Sequence, residues 1–274
     1  MAHCVVQEAE AILDKEFPVL DKGFIRLVDY LGGDERVVQA ARVSYGSGTK
    51  SYREDASLID YLLRNRHTSP FEQVVLTFHV KLPIFVARQW VRHRTARLNE
   101  ISGRYSVMKD DFYVPDSSDI SFQSADNKQG RSSENVEADI VQEVISNLDS
   151  AQKQSYKDYS DLIEKGIARE LARINLPLSL YTEIYWQIDL HNLFHFLELR
   201  LHPHAQKEIR AYAETLFEIV KKVAPRSAES FERHALGAVT FSKEEFAELQ
   251  RRLQNKEESV LSGKELERFE EKLK

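Results

Sequence analysis

Residues 74–83, VVLTFHVKLP, decide how the chain is read, because their alternation is the cleanest in the sequence. Val74, Leu76, Phe78, Val80 and Leu82 fall on one side of an extended segment, and Val75, Thr77, His79 and Lys81 fall on the other. That is the period-two pattern of a strand with one buried and one half-buried face. Pro83 then suits the first turn of a helix, IFVARQWVRHR (84–94), where its missing N–H is no loss. The basic end of that helix is its C-terminus, which favours cations.

Upstream, GFIRLVDY (23–30) reads as a strand, Asp34 as the cap of a helix through Arg42, and SLIDYLLRN (57–65) as a short helix ending at the turn His67-Thr68-Ser69-Pro70. Downstream, a strand is expected near 104–108. The polar run 115–135 reads as solvated surface loop, and a long amphipathic helix carries Ile140, Val144, Leu148, Ala151, Tyr159 and Leu162 as far as Gly166. A helix ARELARINL (168–176) follows. Alternation returns in Leu180, Thr182, Ile184, Trp186 and Ile188, and two helices frame the turn Arg200 to His204. The last forty residues open with Ser242 and Glu245 in capping-box spacing and read as an exposed, charged helical tail. Strands among helices make the fold class α/β.

The chain has 274 residues, 42% of them hydrophobic, enough for one large domain or two small ones. With Lys+Arg 38 against Asp+Glu 44, the net charge is −6, which argues against a protein that wraps a nucleic acid polymer. A single cysteine, Cys4, forms no disulfide framework and points to a reducing compartment. The start MAHCVVQEAEAILDKEF has no basic segment leading into a long apolar run, and no stretch approaches ~18 apolar residues, so a cytoplasmic protein with no membrane association is expected.

Against that negative balance, RQWVRHRTARLNEISGRY (88–105) concentrates five arginines with His93, Gln89, Asn99, Glu100 and Ser102. Guanidinium forks match phosphate oxygens and stay charged at working pH. Arg92, His93 and Arg94 would repel one another unless an anion is shared, and Glu100 alone cannot neutralise them. Arg169 and Arg173, four apart, can face one side of a helix, and Arg200 ends the segment HNLFHFLELR; each could instead satisfy carbonyls or pair with Glu170 or Glu198. Ser102, beside Gly103, is either a nucleophile or a hydroxyl that bonds ligand or loop, and with no base in view the second is favoured. No metal ligand set is formed by His93 or by His202 with His204.

The order of these pieces resembles the flavin-dependent thymidylate synthase family. Arg92-His93-Arg94, seven residues, then Ser102 matches that family's signature, and HTSPFEQ (67–73), FVARQW (85–90), NEISGRY (99–105), ARINLPLSLYT (172–182) and DLHNLFHFLELRLHPHAQ (189–206) follow in family order. The resemblance covers about 21–234, leaving an N-terminal extension (1–20) and a helical C-terminal extension (235–274). It implies an α/β (α+β) fold with a central, mainly antiparallel sheet flanked by helices, and a homotetramer with shared active sites. It implies reductive methylation of dUMP to dTMP, with 5,10-methylenetetrahydrofolate as carbon donor, FADH2 as hydride donor, NADPH as flavin reductant, and no enzyme cysteine nucleophile. By position, Arg200 is the catalytic residue, polarising the uracil ring. Gln89, Arg92, Glu100, Ile101, Ser102, Gly103, Arg104, Arg173 and Arg200 would contact dUMP. Ser69, Glu72, Arg92, His93, Arg94, Asn99, Glu100, Asp189, Leu190, His191, His195 and His204 would contact FAD, with His67 close by. Arg97 and Asp189 depart from residues found in other members. The competing reading is a non-enzymatic nucleotide- or RNA-binding module, with arginines on phosphates and aromatic rings on bases.

Overall fold

Phe78 and Trp186 lie opposite each other across the central strand pair, with ring centroids 6.1 Å apart, and this pairing sets the register of the sheet. The computed structural model describes residues 4–45, 52–125, 130–132, 134–254 and 261–273. In chain order the elements are α1 (Gln7–Glu10), β1 (Glu16–Val19), β2 (Gly23–Leu31), α2 (Asp34–Ala41), α3 (Tyr52–Arg64), β3 (Val75–Pro83), α4 (Ile84–Trp90) and β4 (Arg97–Glu100). Then come α5 (Ala138–Glu164), α6 (Arg169–Ala172), β5 (Tyr181–Asp189), α7 (Leu190–Arg200), α8 (Lys207–Val223), α9 (Pro225–Phe231), α10 (Lys243–Leu253) and α11 (Gly263–Lys272). The fold is α+β, with a five-stranded antiparallel sheet in the order β1-β2-β3-β5-β4.

Alternation gives the sheet two unlike faces. Ile25, Leu27, Leu76, Phe78, Val80, Leu82, Ile184, Trp186 and Ile188 are buried, and Trp90 of α4, Phe196 of α7 and Tyr212 of α8 pack into the same layer. Thr77, His79, Lys81, Glu183, Tyr185 and Gln187 occupy the other face. There His79 stacks on Tyr185 at 4.9 Å, accepts at Nδ1 from Arg26 (2.9 Å), and meets Glu183 through Nε2 at 2.9 Å. A second apolar cluster, Met108, Phe112, Tyr159, Ala172 and Leu180, lies against α5.

Several local expectations need correction. The segment 104–108 is not a strand: the Met108 N–H donates to Tyr159 Oη (2.9 Å) and its carbonyl accepts from Tyr156 Oη (3.0 Å), so tyrosines of α5 take the backbone groups that a ladder would use. The strand in that region is β4, an exposed edge with no apolar alternation to betray it. Helix α4 stops at Trp90, and Arg92 to Arg94 lie in the turn beyond it, closed by the His93 N–H on the Trp90 carbonyl at 3.0 Å. The polar loop is more than solvated surface, since Asp119 pairs with Lys207 and Arg131 with Glu208; residues 126–129 and 133 lie outside the described residues.

Asp34 caps a helix, but not its own. Gly33 precedes α2, and the Asp34 carboxylate instead accepts from the Arg226 N–H (2.7 Å), the Ser227 N–H (3.0 Å) and Ser227 Oγ (2.6 Å) at the start of α9. Burial pushes its carboxyl above the ordinary value, against the opposing pull of those bonds. Asp34→Ala leaves three donors unmet and should cost ~1–3 kcal/mol. A lowered midpoint in denaturant unfolding checks this; an unchanged midpoint would sink the assignment.

The chain divides into two compact units, Met1–Phe231 and Glu232–Lys274. The second is more than an exposed tail. Ser242 and Glu245 form a complete capping box, Phe269 is fully buried, and the buried Glu248 carboxylate accepts from Arg251 Nε (2.8 Å) and Arg252 Nε (2.9 Å).

Candidate active site

α4 and α7 leave the two central strands at opposite ends of the sheet and cross back over its apolar face, so their C-terminal ends meet. His93 packs on Phe196 (4.7 Å between centroids) and lies 6.0 Å from the His195 ring. Arg200 Nε donates to His93 Nε2 at 3.0 Å, and its Nη2 donates to the Gln89 carbonyl at 3.3 Å. A guanidinium only donates, so His93 Nε2 is the acceptor and the ring proton sits on Nδ1. Burial, with the Arg200 charge and His195 beside it, pushes the His93 ring down to about 4. Burial also draws Arg200 below its ordinary value, though a guanidinium remains charged throughout the working range.

This fixes a sign. The folded protein disfavours the proton on His93, so the stability contributed by the neutral ring is fully present above its ordinary value of 6.5 and is lost as pH falls towards about 4. The His93 ring signals in NMR should titrate near that lower value. An inflection at the ordinary one would refute the Arg200 contact.

A second group forms at the far end of β4. Glu100 accepts from Thr182 Oγ1 at 2.7 Å, the Ile101 N–H donates to the Glu183 carbonyl, and the loop turns back at Ser102. Ser102 Oγ accepts from the Arg104 N–H at 3.3 Å, a loop-shaping hydroxyl with no hydrogen-bonded base among the described residues. Gly103 is tight: a Cβ there would stand 3.0 Å from Met108 Sδ and 3.1 Å from Arg173 Cδ. Glu100, Ile101, Gly103, Arg173 and Thr182 line a cavity of about 370 Å3, within the range of small-ligand sites.

The charges of both groups are open. Arg92, Arg94, Arg97, Arg104 and Arg173 are exposed, and among the described residues no carboxylate pairs with any of them, whereas Arg26, Arg42, Arg131, Arg251 and Arg252 all have acid partners. Glu100, the one acid inside the basic run, is engaged by Thr182 instead. Unpaired guanidinium groups held on a rigid frame are what an anionic ligand requires.

Of the expected FAD residues, Ser69, Glu72, Asp189, Leu190 and His191 lie around the start of α7, whereas Arg92 to Arg94 and His204 lie towards or beyond its C-terminal end, and Asn99 and Glu100 lie on β4. The turn with Ser69 and Glu72, both exposed, is pinned by Phe71 against Phe194 (6.3 Å), and the Leu190 N–H bonds the Val74 carbonyl at 2.8 Å. Asp189 has a local task, accepting from the Asn192 N–H (2.9 Å) and Asn192 Nδ2 (2.7 Å) as the N-cap of α7. Leu190 is fully buried, so its side chain belongs to the core. His191 is half-buried, His195 is exposed, His204 stacks on His202 at 5.0 Å, and Asn99 lies opposite Tyr185 on β4. Exposed guanidinium groups beside a neutral imidazole suit a ligand that carries both a pyrophosphate and a ring system. Sequence reading passed over Gln206 and Glu208, although two polar residues spaced by one at the head of an amphipathic helix are a visible signal.

A family model described as "Thymidylate synthase complementing protein" matches residues 26–226. A flavin-dependent thymidylate synthase of Treponema denticola is 68% identical over 262 residues, covering 96% of this chain and 98% of that protein. The chain belongs to the flavin-dependent thymidylate synthase family. A relative of the same name from Treponema pallidum is 62% identical across 100% of this chain and 90% of its own length. Among solved structures, the UMP/dUMP methylase PolB from Streptomyces cacaoi, bound with 5-Br UMP, superposes with a TM-score of 0.72 at 35% identity, covering 79% of this chain and 96% of that one. A second model, "Thymidylate synthase ThyX C-terminal domain", matches residues 239–274, so the tail that the resemblance left outside is also a family feature. In this flavin-dependent thymidylate synthase, Asp189 is accounted for by its cap, and Arg97 opens β4 with its cation unpaired among the described residues.

Proposed function

We propose that the two groups at either end of β4 are the two halves of a dUMP site, served by FAD in a flavin-dependent thymidylate synthase. The reaction is reductive methylation of dUMP to dTMP, with 5,10-methylenetetrahydrofolate as carbon donor. Reduced FAD supplies the hydride, and NADPH reduces the flavin. The observation that carries the residue assignments is the set of open guanidinium groups, divided between the Arg92–Arg94 turn and the Ser102–Arg104 loop with Arg173.

Arg104 and Arg173 grip the phosphate, with Ser102 as a shaping and binding hydroxyl. Arg200, held in plane by His93 and Gln89, meets the uracil edge and stabilises negative charge at N3 and the adjacent carbonyl without changing its own protonation. Arg92, Arg94, Ser69, Glu72, His191 and His195 would hold FAD. The chain thus works mainly by orientation.

Within one chain β4 separates the halves by four extended residues, ~13 Å at ~3.3 Å per residue. A nucleotide touching both Arg200 and the serine loop is best served by halves from different copies, which supports shared sites, in keeping with the homotetramer that the resemblance implies. We place the enzyme in the cytoplasm; among the described residues no helix is long and apolar enough to cross a membrane. In this reading the N-terminal twenty residues extend the catalytic domain and contribute β1 to its sheet, and the segment after 234 follows it. An RNA-binding module would need cations spread over a long face, and here they converge on compact groups.

Tritium release from 5-tritiated dUMP, with FAD, NADPH and methylenetetrahydrofolate present, tests the reading; no release under any reducing condition overturns it. Ser102→Ala should keep measurable turnover, with a raised dUMP KM. Complete loss of turnover with intact dUMP affinity would make Ser102 a nucleophile.

A further inference from the structure

Glu208 is almost fully buried in the first turn of α8 and accepts from Tyr113 Oη at 3.1 Å, from Arg131, and from Gln206 Nε2 at 2.8 Å. Burial pushes its carboxyl up, but the Arg131 guanidinium and the Gln206 amide outweigh this and hold it below the ordinary value. A carboxylate only accepts, so Gln206 must turn its amino group to Glu208 and its Oε1 away. That Oε1 accepts from Gln89 Nε2. The Gln89 amide is therefore turned with its own Oε1 in the opposite direction. Its main-chain carbonyl is taken by Arg200 Nη2. The chain of side-chain bonds starts at a carboxylate, whose hydrogen-bonding sense cannot reverse, while the Arg200 contact to the main-chain carbonyl holds the Gln89 backbone in place.

We propose that Gln206 and Glu208 are positioning residues for substrate selection: through them Gln89 presents Oε1 to the nucleotide as an acceptor for one donor, the ring imino N–H or the sugar 3′-hydroxyl. This rests on the reading of Gln89 as a nucleotide contact. Without Gln206 the Gln89 amide can rotate and offer its amino group, setting donor against donor. Arg131 brings the polar loop into the same device, because it stabilises the charge from which the polarity originates.

The test uses the full-length, flavin-loaded enzyme in its native assembly with dUMP, 3-deaza-dUMP, which lacks the imino donor, and the 3′-deoxy analogue, which lacks the hydroxyl. The wild type should bind one analogue about three- to tenfold more weakly than dUMP, and which one identifies the donor. Gln206→Met should bind dUMP and that analogue alike, with dUMP KM raised and kcat per bound flavin nearly unmoved. Gln206→Lys offers only donors, so it reverses the Gln89 amide and should weaken dUMP beyond Gln206→Met; it also keeps a donor on Glu208, so folding does not hinge on one variant. Retained discrimination in both variants overturns the proposal, as does a wild type that discriminates against neither analogue. Gln89→Leu separates the two levels. Unaltered dUMP binding there removes Gln89 from the site and the proposal with it, whereas weakened binding beside Gln206 variants that keep discrimination overturns the positioning role alone.

Discussion

Arg200→Ala is expected to lower dTMP formation about a hundred- to a thousandfold while fold and flavin content persist, because it removes a preorganised donor aimed at developing charge. The guanidinium is fixed at two points, Nε on His93 and Nη2 on the Gln89 carbonyl, and the neutral His93 ring ensures that the first contact is attractive. It carries no ion pair among the described residues, so truncation strands no buried acid. The half-buried position gives water access to the bared His93 Nε2, which limits the structural cost. Single-turnover conversion of dUMP by the reduced, flavin-loaded variant measures the effect. Turnover at the wild-type rate would remove Arg200 from the chemistry.

Arg173→Ala should act on binding. Arg173 lines the cavity beside Gly103 and has no acid partner among the described residues, so its charge is available to a phosphate. A hydrogen bond to a charged group contributes ~1.5–3 kcal/mol, which predicts a dUMP KM raised about ten- to a hundredfold with a smaller change in kcat. Gly103→Ala should move in the same direction, since the added methyl meets Arg173 Cδ at 3.1 Å and displaces the arginine from the cavity wall. Steady-state kinetics with dUMP as the varied substrate decide it; an unchanged KM in Arg173→Ala would sink the phosphate assignment.

Much of this architecture was legible because burial writes a period into the residues. β3 and β5 alternate over nine residues each, and the structure pairs them directly. β4 carried no such mark, since an exposed edge strand needs no apolar side. The segment 104–108 misled because its backbone is satisfied by two tyrosine hydroxyls about fifty residues away, a long-range fact that local pattern cannot contain. Asp34 reads as the cap of the helix through Arg42, yet its carboxylate accepts from the first turn of α9, across the fold, which local pattern does not show. At the site, the arginine run was visible as composition. Its division into two groups, the neutral state of His93 and the polarity carried from Glu208 to Gln89 all depend on contacts between segments far apart in the chain.

The central strand pair also sets a clock. β3 must wait for β5, about a hundred residues later in the chain, before its second edge is paired. At ribosomal rates of ~5–20 residues per second this interval lasts about 5–20 s, during which a largely apolar strand presents an open edge. The arginine run Arg88–Arg104 emerges in the same interval without the strand that later supports it. The stretch that makes the fold easy to read is thus the one most exposed to misassociation during synthesis, and charged residues following it on the nascent chain help to keep neighbouring chains apart.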